Sequence, residues 1–123
     1  MEGVHPACPL KGSCLCGGIA FEIHGEVAGV ARCHCSLCRK LSGTNATATV
    51  FVTAEQLVWL KGQEQIQEYQ RPSGYGTSFY RVCGSPAPDG NRARTRYGMP
   101  AGLLEGDPSL RVIEHIFVGS KAS

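Results

Sequence analysis

The sequence predicts a single, mainly β domain, and three observations carry that expectation. Apolar residues alternate with polar or small ones over short stretches, the strand period of two. The 16 glycines and 7 prolines cut the 123 residues into short segments. No long stretch repeats apolar residues at helical spacing, and neither a linker nor a composition shift marks a second domain.

The first strand is expected at Ile19 to Ile23, where Ile19, Phe21 and Ile23 alternate with Ala20 and Glu22 before His24-Gly25 closes it. Asn45 to Thr53 (NATATVFVT) is rich in β-branched residues, and Leu57 to Leu60 is a shorter apolar run ended by Lys61-Gly62. Gln65 to Tyr69, Thr77 to Val82 and Leu110 to Val118 are further strands. One short helix is expected over Ser36 to Leu41, capped by Ser36 and stopped at Ser42-Gly43. Ala87 to Gly106 is dense in Gly and Pro and is expected to be irregular, with one short strand around Arg94 to Tyr97.

The net charge of +2 is too small to imply a nucleic-acid or membrane partner. No apolar run reaches the ~18 to 20 residues that span a bilayer, and MEGVHPACPLKG lacks the apolar centre of a signal peptide, so a cytoplasmic protein is expected. Thiols stay reduced there, and seven cysteines cannot all pair, so metal ligation or catalysis accounts for them better than disulfides.

Cys33, Cys35 and Cys38 spell CxCxxC, which lets three thiolates converge from one turn on one ion, ~2.3 Å from each sulfur. Cys14 and Cys16 form a CxC pair in GSCLCGG, and Cys83 lies in VCGSP, where Gly84 permits a sharp turn. Two sites follow, one of three neighbouring sulfurs and one assembled from two plus one. The plain alternative is that these cysteines are small buried apolar residues. Cys8, between Pro6 and Pro9 in the sequence PACP, is expected to be an incidental thiol, and His34, between two ligands, a turn residue or a support for them. Zn²⁺ with three thiolates carries a net charge of −1, which suits it to a fourth, incoming thiol better than to activating water. Whether the ion is zinc or iron stays open. Arg32, Arg39 and Lys40 flank the cluster and are either charge partners for it, or for a substrate carboxylate, or solvated surface.

Taken together, GSCLCGG (Gly12 to Gly18), CHCSLCRKLSG (Cys33 to Gly43) and YRVCGSP (Tyr80 to Pro86) resemble the glutathione-dependent formaldehyde-activating enzyme family. The likeness continues through RYGMPAGLLEGDPSL and HIFVGSKA, so it covers nearly all of residues 11–123, leaving 1–10 as an N-terminal extension. The resemblance implies an Mss4-like, or β-tent, zinc-binding fold. It implies a catalytic zinc on Cys33, Cys35 and Cys38 with one position open to substrate, and a structural zinc on Cys14, Cys16 and Cys83. The implied activity is that of a carbon–sulfur lyase joining a small thiol such as glutathione to formaldehyde as S-hydroxymethylglutathione. Tyr80 stands where the family has the structural site's other cysteine, which leaves that site three sulfurs. Relatives usually run on past SKA, so a part of the substrate pocket is expected to differ here. The alternative function is a catalytically inactive, zinc-stabilised binding module, with Arg92, Arg94 and Arg96 along one face of a strand as a contact for a polyanion.

Overall fold

The computed structural model describes residues 9–70, 72, 76–91, 93–105 and 112–116. Among the described residues the fold consists of two sheets and a hairpin. The first sheet is antiparallel in the order β1-β2-β5, with β1 Leu10–Ser13, β2 Ala20–Ile23 and β5 Leu57–Lys61. The second contains β3 Val30–Cys33, β4 Thr47–Thr53, β8 Asp89–Gly90, β9 Arg96–Pro100 and β10 Val112–Ile116, in the order β10-β3-β4-β9-β8. Its one parallel pair is β10 with β3. β6 Ile66–Gln70 and β7 Gly76–Tyr80 form the hairpin. The single α-helix among the described residues, α1, spans Ser36–Ser42.

Alternation decides which face is buried. In β2, Phe21 and Ile23 are fully enclosed, as are Val50 of β4 and Met99 of β9, and these side chains join one core between the two sheets. Each such burial stabilises by about 1.5–3 kcal/mol. Trp59 of β5 bridges the sheets, edge-on to Phe21 at 6.1 Å and to Tyr97 of β9 at 6.4 Å. Ala31 and Cys33 are also buried yet lie outside this core. They belong to the other face of the second sheet, where Cys33 pairs with Thr47 and Ala31 with Thr49.

The expected strands at Ile19 to Ile23, Asn45 to Thr53, Leu57 to Leu60 and Gln65 to Tyr69 correspond to β2, β4, β5 and β6 within two residues at each end. Of Leu110 to Val118, residues 112–116 form β10 and the rest lie outside the described residues, as does Cys8. Three expectations are corrected. β7 ends at Tyr80, because residues 81–83 turn to present Cys83. β9 starts at Arg96, with Arg94 in the preceding turn at φ +58°. α1 is capped by Cys35, whose sulfur accepts the Cys38 N–H, and Ser36 is its first residue. β1 and β3 were not expected at all: LKGS has no alternation, and VARC buries both Val30 and Ala31, so period two is absent.

Candidate metal centres

The end of β3 and the start of α1 build the first cluster. β3 delivers Cys33, the chain turns through His34, Cys35 opens the helix and Cys38 lies one turn in. The three Sγ atoms lie within 4.8 Å of one another. A tetrahedral ion with sulfurs at about 2.3 Å requires sulfurs about 3.8 Å apart, so small side-chain adjustments suffice to hold one. Cys33 is buried while Cys35 and Cys38 are half-buried, so the cluster reaches the surface on the helix side. Burial opposes ionisation of Cys35, but the Cys38 N–H, at 3.3 Å, and contacts with the other two cysteines outweigh it and lower its pKa. His34 is not among the grouped ligands.

The flanking cations divide. Arg32 donates through Nη2 to Asn45 Oδ1 and to the Ala46 carbonyl, both at 3.2 Å, and so fixes the segment leading into β4. Arg39 and Lys40 lie on the last turn of α1, with Lys40 exposed.

The second cluster joins two distant loops. Cys14 N–H bonds to the Ile19 carbonyl at 3.2 Å, Gly17 N–H to the Cys14 carbonyl at 3.0 Å, and Ile19 N–H to Cys14 Sγ at 3.3 Å, which folds the CxC loop around its own sulfurs. Across from it, Gly84 N–H bonds to the Tyr80 carbonyl at 2.7 Å, with Gly84 at φ +78°, and this turn presents Cys83. Ser85 ties the loops together: its Oγ accepts the Leu15 N–H at 3.0 Å and lies 3.2 Å from Cys83 Sγ. The Sγ atoms of Cys14, Cys16 and Cys83 lie within 4.8 Å of one another, and those of Cys14 and Cys16 are 3.7 Å apart, close to the spacing a tetrahedral ion needs.

Electrostatics sharpen this triad. The Ser85 hydroxyl, aided by the N–H groups of Ser85 and Cys16, lowers the Cys83 thiol to about 6. The Gly18 N–H favours an ionised Cys16, yet desolvation and the neighbouring thiols push its pKa up on balance. Tyr80 is buried beside the triad, and burial, then the charges of Cys16, Cys14 and Cys83, raise its phenol above the ordinary range. Both triads therefore fit a thiophilic ion. Zinc on Cys33, Cys35 and Cys38, or on Cys14, Cys16 and Cys83, would find preformed sulfur sets.

The arginine stripe does not form. Arg94 sits in the turn and pairs with Glu68, while Arg96 is on β9 with its guanidinium 4.7 Å from the centre of the Phe51 ring. Arg92 lies outside the described residues. No helix among the described residues is long and apolar enough to cross a membrane.

Residues 9–120 match the family described as glutathione-dependent formaldehyde-activating enzyme. None of the curated proteins matches the chain. Among solved structures, a crystal structure of a Rhodobacter sphaeroides protein is similar, with a TM-score of 0.65 and 27% identity over 85% of this chain and 98% of that one.

Proposed function

Because the chain belongs to the glutathione-dependent formaldehyde-activating enzyme family, we propose that it is a cytoplasmic, zinc-dependent carbon–sulfur lyase that joins a small thiol, glutathione in the first instance, to formaldehyde. The observation that carries this reading is the convergence of Cys33, Cys35 and Cys38, whose sulfurs lie within 4.8 Å of one another and leave a tetrahedral ion one free position.

When bound there, zinc supplies a soft Lewis acid that keeps a fourth sulfur ionised at neutral pH. Cys33 would hold the ion from the rigid end of a strand, and Cys35 and Cys38 would hold it from the first turn of α1, a ligand set preorganised by hydrogen-bonded backbone. The Cys38 N–H stabilises negative charge on Cys35 without adding a proton to be displaced. The substrate thiol loses its proton to solvent, its sulfur attacks the carbonyl carbon, and the carbonyl oxygen takes a proton from water. Thiol plus formaldehyde thus gives the S-hydroxymethyl adduct with atoms balanced and no redox change. Cys14, Cys16 and Cys83 would serve as the ligands of a second, structural zinc.

Two measurements test the proposal. Native mass spectrometry of protein purified under reducing conditions should find zinc that is lost from the first cluster in Cys35→Ser. The zinc-loaded protein should consume glutathione with formaldehyde faster than the uncatalysed mixture, and Cys35→Ser should not. Protein free of zinc, or a rate equal to the background, overturns it.

A further inference from the structure

The outer face of the second sheet runs directly from the first cluster, because Cys33 of β3 pairs with Thr47 of β4. Partners in adjacent antiparallel strands share a face, and faces alternate along each strand. Val50, Val52 and Met99 point into the core, so Thr47, Thr49 and Phe51 point out, with Thr47 opposite Cys33 and Phe51 opposite Gly98. An added Cβ at Gly98 would come 3.1 Å from Phe51 Cε1 and 3.2 Å from Thr49 Cγ2, so the absence of a side chain there lets Phe51 and Thr49 lie down over the backbone of β9. Thr47 and Thr49 are half-buried, and neither hydroxyl has a hydrogen-bond partner among the described residues. Arg96 closes the track over the Phe51 ring, exposed and with no carboxylate partner among the described residues, unlike Arg94.

We infer that this face, from Cys33 past Thr47 and Thr49 to Arg96, binds the part of the thiol substrate that does not react, with Arg96 taking a carboxylate. The inference rests on the proposal that the substrate sulfur is held at the Cys33, Cys35 and Cys38 cluster. Four residues of β4 separate Thr47 from Phe51, a span of about 14 Å at about 3.4 Å per residue. The substrate sulfur starts about 4 Å along, at the spacing of sulfurs on one ion, which leaves about 10 Å. In an extended γ-glutamylcysteinylglycine, eight bonds separate the sulfur from the carboxylate carbon of the γ-glutamyl residue, about 10 Å from it. A guanidinium over an aromatic ring remains free to fork onto that carboxylate, and the threonine hydroxyls meet the amides between.

Calorimetric titration of the zinc-loaded, full-length protein tests this with two thiols, glutathione and cysteinylglycine, which lacks the γ-glutamyl carboxylate. Arg96→Gln should weaken glutathione about tenfold and leave cysteinylglycine unchanged, and Arg96→Lys should fall between. Thr49→Val, which keeps the side-chain volume, should weaken glutathione as well and guards against an unfolded Arg96 variant. If Arg96→Gln weakens both thiols equally or neither, the inference fails while the thiol-binding proposal stands. If the wild type binds neither thiol, or Cys35→Ser binds glutathione as well as wild type does, the proposal falls and the inference with it.

Discussion

The ring of Tyr80 lies so close against Gly18 that no side chain fits between them: a Cβ at Gly18 would come within 2.6 Å of Tyr80 Cε2 and 2.7 Å of Cζ. The Tyr80 ring is thus accommodated by a glycine in the opposing loop. Gly18→Ala should destabilise the protein by about 1–3 kcal/mol through overpacking. In a Tyr80→Cys background the smaller side chain removes the clash, so most of that cost should disappear. A thermal-unfolding double-mutant cycle measures the coupling; additive effects would show that Tyr80 is not what Gly18 accommodates.

Tyr80→Cys should also complete the second sulfur set. The position lies at the end of β7, beside three sulfurs already grouped within 4.8 Å. Zinc retention against a chelator should rise by more than the ~10-fold that outer contacts to metal ligands control, with no change in the ion held by the first cluster. Competition with a chromophoric chelator, read beside native mass spectrometry, reports both. Unchanged retention would place residue 80 too far from the ion to ligate it.

In the metal-free protein the Cys83 thiol is lowered to about 6 from an ordinary 9.0, with Ser85 the leading cause. Its thiolate thus persists down to pH about 6 and is lost below it. Iodoacetamide at pH 7 should therefore label Cys83 ahead of Cys16, whose pKa is raised. Ser85→Ala should move the labelling midpoint of Cys83 toward that of an ordinary thiol and, by removing the acceptor of the Leu15 N–H, loosen the two loops. Mass-spectrometric mapping across pH checks both residues in one experiment.

Strands were legible where side chains alternate on a half-buried face, as at Phe21 and Ile23 or along β4. β3 was not, because Val30 faces the core while Ala31 and Cys33 are covered on the other side, so its burial shows no period. The grouping of Cys33, Cys35 and Cys38 was legible because six residues contain it. The relation of Thr47, Thr49 and Arg96 to that cluster was not, since strand register alone creates it. The turn that sets the start of β9 depends likewise on one side chain. Asn91 Oδ1 accepts the N–H groups of Thr95 at 2.9 Å and Arg96 at 3.2 Å, which ends the turn where Arg96 enters the sheet. Asn91→Ala should cost about 1–2 kcal/mol, a fall of several degrees in Tm, and a thermal melt measures it.

Cys35 has two roles, and two substitutions separate them. Its sulfur belongs to the first cluster, and the same sulfur caps α1 by accepting the Cys38 N–H at 3.3 Å. A serine oxygen caps a helix at least as well, whereas alanine cannot. Cys35→Ser and Cys35→Ala should therefore lose the ion of the first cluster alike, because neither supplies a thiolate. In metal-free protein they should part: Cys35→Ser should match or exceed the wild type in thermal stability, and Cys35→Ala should fall about 1 kcal/mol below Cys35→Ser. Comparing the three proteins after chelation isolates the cap from the metal. Equal stability of the two variants would mean that the cap contributes nothing once the ion is gone, and that the ion, not the sulfur–amide contact, sets the start of α1.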